Sequence, residues 1–181
     1  TASQYPIWLS DSGNNNMPVL AFSYAAQLIK PASAAFGTTG TIFWVLQAIK
    51  YSGSNWYITY NSSNTGRTRI YPEGKFNTTY FGANNTSDAT SDVTEGTAQI
   101  IGFRSGSPFT WTADGRALMA SPGNAAGAEL YSAAQTYKIG YTTASMLWYD
   151  FIAFDSELSD ANYNAVQGYL GDKYGITVAD I

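Results

Sequence analysis

Histidine and cysteine are both absent from this chain of 181 residues, and each absence excludes a kind of chemistry. Without them there is no Ser-His-Asp or Cys-His nucleophile system and no zinc site with His or Cys ligands. A disulfide framework is excluded as well, so the sequence is compatible with secretion but does not require it. Most common enzyme chemistries are therefore ruled out, and we expect a non-catalytic protein.

Charge is also scarce, because Asp, Glu, Lys and Arg make up 12% of the chain against roughly 25% in an average soluble domain. The net charge is -4, and the nine basic residues form no Lys/Arg run that would bind a phosphate backbone. No apolar run reaches the ~20 residues of a membrane-spanning helix. We therefore expect neither nucleic-acid binding nor membrane insertion. A surface built from Asn, Ser, Thr, Gln and Gly suits a protein that contacts sugars.

Apolar residues are plentiful, with 45% hydrophobic and 15% aromatic content, which is enough for one core over residues 1–181. Segment 41–51 is apolar on both faces and predicts a central strand that is covered on both sides. Alternating or apolar patterns predict ten strands, at 17–23, 41–51, 55–61, 67–71, 75–81, 97–104, 109–113, 116–119, 136–141 and 145–155.

Turn and cap signals complete the predicted fold. Asp114-Gly115 lies between two strand patterns and predicts a tight hairpin, because this pair tolerates the positive φ angles of a type I′ turn. One helix is predicted at about 159–174, with Ser159 as N-cap, Asp160 in the first turn and Gly175 after the last turn. Short strands without interleaved helices predict an all-β, two-sheet antiparallel sandwich with one short C-terminal helix.

Three C-terminal segments together resemble a known family: 148–155 (WYDFIAFD), 156–159 (SELS) and 169–176 (YLGDKYGI). They are similar to the closing signature of laminin G-like domains, which belong to the concanavalin A-like jelly rolls. Segments 17–22, 41–46 and 112–115 resemble earlier strands and a hairpin of the same family. The resemblance implies a jelly-roll sandwich of the kind found in bacterial secreted proteins and phage structural proteins. It does not imply an activity, because one fold hosts many functions.

Aromatic residues beside polar ones give the sequence signal for sugar binding, because a flat ring stacks on a pyranose face while amides and guanidinium groups orient the hydroxyls. Trp44 and Trp148 are instead assigned to the core. Each candidate aromatic has core burial as its alternative. The candidate ligand-binding residues are Trp56, Tyr57, Asn61, Arg67, Arg69, Tyr80, Asn84, Asn85 and Trp111.

Acidic residues suggest two further sites. Asp88, Asp92 and Glu95, in a predicted polar loop over 82–96, are candidate calcium ligands, because hard cations prefer several oxygens from flexible loops. The alternative is a solvated loop, so Ca²⁺ is optional and no cofactor is required. A glycosidase needs two flanking carboxyl groups, but the chain has four Glu and no E-x-D-x-x-E strand motif. We expect Asp150 to be a buried carboxylate bonded to neighbouring backbone or to an Arg.

The sequence thus favours a non-catalytic module that binds a glycan or cell-surface polysaccharide. It would belong to a larger extracellular protein or to a phage virion protein such as a tail, fibre or capsid decoration. The main alternative is an architectural domain that contacts other virion or surface-protein subunits. A glycan hydrolase or lyase ranks third. The expected location is extracellular or on a virion surface.

Overall fold

The structure is a computed structural model that describes residues 7–10, 14–22, 28–30, 40–50, 56–61, 66–70, 76–80, 83–86, 94–104, 110–117, 137–141 and 145–181. These residues form thirteen β-strands and one α-helix. The elements are β1 (Ile7–Leu9), β2 (Val19–Phe22), β3 (Leu28–Lys30), β4 (Thr41–Lys50), β5 (Trp56–Asn61), β6 (Gly66–Ile70), β7 (Phe76–Tyr80), β8 (Ala83–Thr86), β9 (Ala98–Arg104), β10 (Thr110–Ala113), β11 (Arg116–Ala117), β12 (Tyr137–Tyr141), β13 (Ser145–Phe154) and α1 (Asp160–Tyr174).

The strands build two antiparallel sheets that form a β-sandwich, which confirms the predicted fold class. One sheet has seven strands in the order β1-β2-β13-β4-β9-β10-β11, and the other has six in the order β3-β12-β5-β6-β7-β8. The late strands β12 and β13 lie between early strands in both sheets. The sandwich therefore depends on pairing between distant parts of the chain, which tight hairpins alone do not provide.

All ten predicted strand segments contain a strand, and the three strands that sequence patterns missed are β1, β3 and β8. Each of them is the outermost strand of its sheet and has only three or four residues. So short a segment shows no periodicity. The predicted loop over 82–96 is corrected at residues 83–86, which form β8 and pair with β7.

Strand β4 is buried on both faces, as its sequence predicted. Phe43 and Val45 face α1 and are 0% exposed, and both belong to a cluster with Tyr163 and Leu170 of the helix. On the opposite face, Trp44 is also 0% exposed. The seven-stranded sheet is therefore covered on both faces at β4, with α1 against one of them.

Helix α1 begins and ends where the cap signals predicted. The hydroxyl of Ser159 accepts a hydrogen bond from the Asn162 amide, and Gly175 ends the helix with φ of 69°. Leu158 and Ile176 flank the helix and pack against the same core cluster. None of the helices in the described residues combines the length and apolarity needed to cross a bilayer.

Polar contacts hold the N-terminal end of α1 on β9 and its C-terminal end on a short turn. Arg104 of β9 forms an ion pair with Asp160 and donates a hydrogen bond of 3.1 Å to the Leu158 carbonyl. At the other end, the amide of Asn15 donates to the carbonyl of Lys173 at 3.0 Å. Asn15 belongs to a short 3₁₀ turn and has a left-handed φ of 54°. These contacts fix the position of the helix along the strands.

Candidate functional site

The six-stranded sheet brings part of the predicted ligand-binding set together on one face. Directly paired residues share a face of an antiparallel sheet, and residues two apart on a regular strand do so too. One cross-strand row contains Tyr60, Arg67, Thr79 and Asn84 on β5 to β8. A second row contains Tyr57, Arg69, Asn77 and Thr86. Because Arg67 and Arg69 are two apart on β6, the β6, β7 and β8 members of both rows lie on one face. We call this face, together with the tyrosines paired to the two arginines, the Tyr–Arg face.

A register shift in β5 produces this arrangement. Tyr57 pairs with Arg69 and Thr59 pairs with Thr68, so β5 carries one more residue than β6 over this stretch, at Ile58. A bulge of this kind places two residues of one strand opposite one residue of its partner. Simple alternation separates Tyr57 from Tyr60, and their continuous pairing with Tyr141 and Lys138 of β12 keeps that alternation. On the β6 side, the register shift pairs both tyrosines with arginines. Alternation along the sequence therefore did not identify Tyr60 and Asn77 as candidates, and no turn or glycine signal marks the bulge.

Other predicted ligand-binding residues lie on the opposite face of the same sheet. Trp56 pairs with Ile70, and Ile70 pairs with Phe76. Ile70 follows Arg69 directly in β6, so this row lies on the face opposite the Tyr–Arg face. Tyr80 and Asn85 occupy register positions on that same opposite face. Asn61 follows Tyr60 directly in β5 and alternates with it. The predicted set is thus divided: Tyr57, Arg67, Arg69 and Asn84 share a face, and Trp56, Asn61, Tyr80 and Asn85 do not belong to it.

Trp111 is corrected from a ligand platform to a core residue. It lies on β10 of the seven-stranded sheet and is only 2% exposed. Its ring stacks on Trp44 at a centroid distance of 5.8 Å and contacts Phe103 at 4.7 Å. Stacking on a sugar requires an accessible ring face, and this ring is enclosed by other side chains. Trp44 and Trp148, at 0% and 6% exposure, are core residues as predicted.

The predicted calcium ligands remain a prediction. Glu95 lies in an exposed turn just before β9, whereas Asp88 and Asp92 are outside the described residues. Among the residues that the structure describes, no three His, Cys, Asp or Glu side chains form a group suited to a metal ion.

Asp150 joins β13 to the C-terminal end of α1. Its carboxylate accepts hydrogen bonds from the Lys173 ammonium at 2.9 Å, the Tyr174 hydroxyl at 3.0 Å and the Phe151 amide at 2.9 Å. The bond to Asp150 raises the pKa of Lys173. The expected backbone partner is present, but the carboxylate is half-buried and not buried as predicted, and the basic partner is a lysine and not an arginine. A carboxylate with three donors is suited to fixing the helix in place.

Asp114 also has a structural use. It occupies the predicted hairpin turn with φ of 50°, followed by Gly115 at 82°, so the type I′ prediction is confirmed. Its carboxylate accepts hydrogen bonds from the Ile100 amide at 2.8 Å and the Gln99 side chain at 3.0 Å. Burial raises the pKa of the Asp114 carboxyl. The open cleft beside it, about 330 Å³, is lined by Asp114, Arg116, Thr177, Val178 and Ala179.

No protein-family model matches the chain, and no curated protein matches its sequence. Solved structures resemble it over almost its whole length. One is a structure of botulinum neurotoxin type C, whose cell entry is described as dependent on interaction with two ganglioside molecules. It has a TM-score of 0.64 and 11% identity, over 92% of this chain and 45% of that one. The binding domain of botulinum neurotoxin DC with rat synaptotagmin II has a TM-score of 0.62 and 11% identity, over 92% and 46%. A sialidase of Trypanosoma rangeli in complex with sialic acid has a TM-score of 0.63 and 12% identity, over 98% and 34%.

These likenesses establish the fold class of the chain. Identities of 11% and 12% are too low to transfer a binding residue or an activity. The chain also spans less than half of each of these three proteins, at 45%, 46% and 34% of their lengths. It corresponds in each case to a β-sandwich unit within a longer protein.

Proposed function

We propose that this chain is a non-catalytic module that binds carbohydrate through the Tyr–Arg face, within a larger extracellular or virion protein. The observation that carries the proposal is the pairing of Tyr57 with Arg69 and of Tyr60 with Arg67, with Asn77 two strands from Tyr57 in the same row. Sugar sites combine apolar ring faces with a few convergent hydrogen-bonding groups. The two rows supply both kinds of residue on one face.

The solved neighbours support the proposal from a different direction. Two of the three are described with sugar ligands, gangliosides in one case and sialic acid in the other. The laminin G-like assignment is part of the proposal as well. It is supported by the signature segments, because they form β13 and α1 with the caps that the family pattern implies.

The use of two described carboxylates, Asp150 and Asp114, supports a non-catalytic role. Asp150 holds α1 through Lys173 and Tyr174, and Asp114 holds the hairpin turn. Acid–base catalysis at a glycosidic bond needs two carboxyl groups aimed at one cleft. Neither carboxylate is arranged for that task, since each is occupied by donors from its own fold. The absence of histidine removes the usual alternative proton carrier.

A glycan array with the full chain tests this function. We expect the wild type to bind at least one glycan, and Tyr57→Ala and Tyr60→Ala to weaken that binding about tenfold or more, because each loses a stacking surface. Tyr169→Ala is the matched control, since Tyr169 is 57% exposed on α1, away from the Tyr–Arg face. It should bind like the wild type. If no glycan binds, or if Tyr169→Ala weakens binding as much as Tyr57→Ala and Tyr60→Ala do, the proposal is wrong. An architectural role would then be the better explanation.

A further inference from the structure

We infer that the Tyr–Arg face selects acidic glycans, specifically those with a carboxylate on the sugar ring or its side chain. This inference rests on the proposed function and names the ligand class of the same face. Its basis is a juxtaposition: Arg67 and Arg69 occupy alternate positions of β6, and each has a tyrosine of β5 as its direct neighbour.

The strands of the six-stranded sheet differ in charge from the chain as a whole. The chain contains thirteen acidic and nine basic residues. The six strands of the six-stranded sheet contain none of the acidic residues but four of the basic ones, which are Lys30, Arg67, Arg69 and Lys138. This sheet is therefore basic within a protein whose net charge is -4. Lys138 pairs with Tyr60 and is in register with Arg67, whereas Lys30 pairs with Tyr137 and lies on the opposite face. Charges in physiological salt act over about a Debye length of 8–10 Å, so the local balance of charge decides which ligand is attracted.

The register gives each arginine similar surroundings. Arg67 lies between Tyr60 and Thr79 in its row, and Arg69 lies between Tyr57 and Asn77. Directly opposed residues of an antiparallel pair have Cβ atoms about 5 Å apart. Each arginine position thus has an aromatic position on one neighbouring strand and a neutral polar position on the other, within the span of one sugar unit.

Guanidinium chemistry favours a carboxylate among anionic groups on sugars. The planar guanidinium group forms two parallel hydrogen bonds to a carboxylate, and such charge-assisted pairs are roughly twice as strong as neutral ones. Arg67 and Arg69 are two residues apart, which is roughly 7 Å along a strand. A linear polymer with a regular series of carboxylates would engage both arginines, whereas a neutral polymer would leave their charges uncompensated.

Paired ligands test the inference without any mutation. The full chain is titrated calorimetrically with polygalacturonate, alginate and polysialic acid, and with the carboxyl-reduced form of each polymer. We expect binding to at least one acidic polymer, about tenfold or more weaker binding of its reduced form, and affinity that falls as NaCl rises. Equal affinity for the acidic and reduced forms would overturn the inference, as would binding of neutral or sulfated polymers alone.

Arginine variants then locate the effect. Arg67→Gln and Arg69→Gln should each weaken binding of the acidic polymer about tenfold, a change of about 1.4 kcal/mol. Arg116→Gln is the matched control, because Arg116 is exposed on β11 of the other sheet and its loss removes the same charge. Arg69→Lys keeps the charge and should give an intermediate loss. Thermal unfolding of each variant checks that the sheet is intact.

The outcomes separate the inference from the proposed function. If the Arg67 and Arg69 variants bind the acidic polymer as well as the Arg116 control does, the acidic-glycan inference is overturned and glycan binding stands. If the wild type binds neither these polymers nor any glycan of the array, both statements fail.

Discussion

Replacing Gly115 by alanine tests how the C-terminal tail, residues 176–181 after α1, packs against the hairpin turn between β10 and β11. Gly115 has a φ of +82°, and a Cβ atom added there would lie 1.7 Å from the Ala179 carbonyl oxygen. Real Cβ contacts are essentially never shorter than 3.0 Å, so Ala179 must retreat by about 1.3 Å. Two hydrogen bonds depend on its position: Ala179 donates to the Asp114 carbonyl at 2.9 Å, and Gln167 donates to the Ala179 carbonyl at 3.3 Å.

Two terms set the magnitude. A left-handed backbone costs an L-residue about 1–2 kcal/mol. Loss of the two bonds adds about 1–3 kcal/mol, at 0.5–1.5 kcal/mol for each bond. Gly96→Ala isolates the first term, because Gly96 has a φ of +77° and nothing within 4 Å of the added Cβ. We therefore expect Gly115→Ala to lower the free energy of unfolding by about 2–5 kcal/mol and Gly96→Ala by about 1–2 kcal/mol.

Urea unfolding followed by tryptophan fluorescence measures both variants, and amide hydrogen exchange at Ala179 reports the tail directly. We expect this amide to be protected in the wild type and in Gly96→Ala, and to exchange freely in Gly115→Ala. If both substitutions destabilise the protein equally and the Ala179 amide stays protected in both, the tail does not depend on the close contact between Gly115 and Ala179, which would refute the reasoning.

Three further substitutions probe the attachment of α1. Tyr163→Phe removes a buried hydroxyl that lies 2.7 Å from the Thr112 hydroxyl, and should cost about 1–2 kcal/mol in urea unfolding, with non-additive behaviour when combined with Thr112→Val. Lys173→Met should cost about 1 kcal/mol at pH 7, because its ion pair with Asp150 is only partly buried. The folded-state pKa of Lys173 is raised, so its stabilising contribution is complete below the unfolded-state pKa of ~10.4. The contribution is lost as the pH rises above that value. The free energies of unfolding of the wild type and of Lys173→Met should therefore converge only at strongly alkaline pH. Gly168→Ala fills open space within the helix and should raise the midpoint of thermal unfolding, with a gain of about 0.5–1 kcal/mol.

The strands and the helix could be predicted because their signals are local. The two-sided apolar pattern of β4 identified a strand buried on both faces, and the positions of Ser159 and Gly175 identified the ends of α1. The short edge strands gave no such signal. β8 has the sequence ANNT, which favours turns, and it becomes a strand only because it pairs with β7.

The candidate site was less predictable because it depends on register. Alternation along the sequence indicates which residues of one strand share a face, but a register shift at Ile58 pairs both Tyr57 and Tyr60 with arginines on the β6 side of β5. Pairing with β6 and β7 then decides that Tyr60 and Asn77 join Arg67 and Arg69. None of these pairings can be deduced from the spacing within one strand.

The misassignment of Trp111 has a separate cause. An aromatic residue beside threonines fits both a sugar platform and a half-polar core strand. β10 lies next to β9 near one edge of the seven-stranded sheet, where Trp44 and Phe103 cover the ring. Coverage by residues from other strands is a tertiary property. Local sequence therefore could not distinguish the two roles of Trp111.

The most direct test of carbohydrate binding by the Tyr–Arg face is an NMR titration of the isotope-labelled chain with the glycan that gives the strongest array signal. We predict that the amide signals of β5 to β8 shift most and that the shifts saturate with one affinity. Shifts confined to α1 or to the hairpin of β10 and β11, with the amides of β5 to β8 unchanged, would contradict the account.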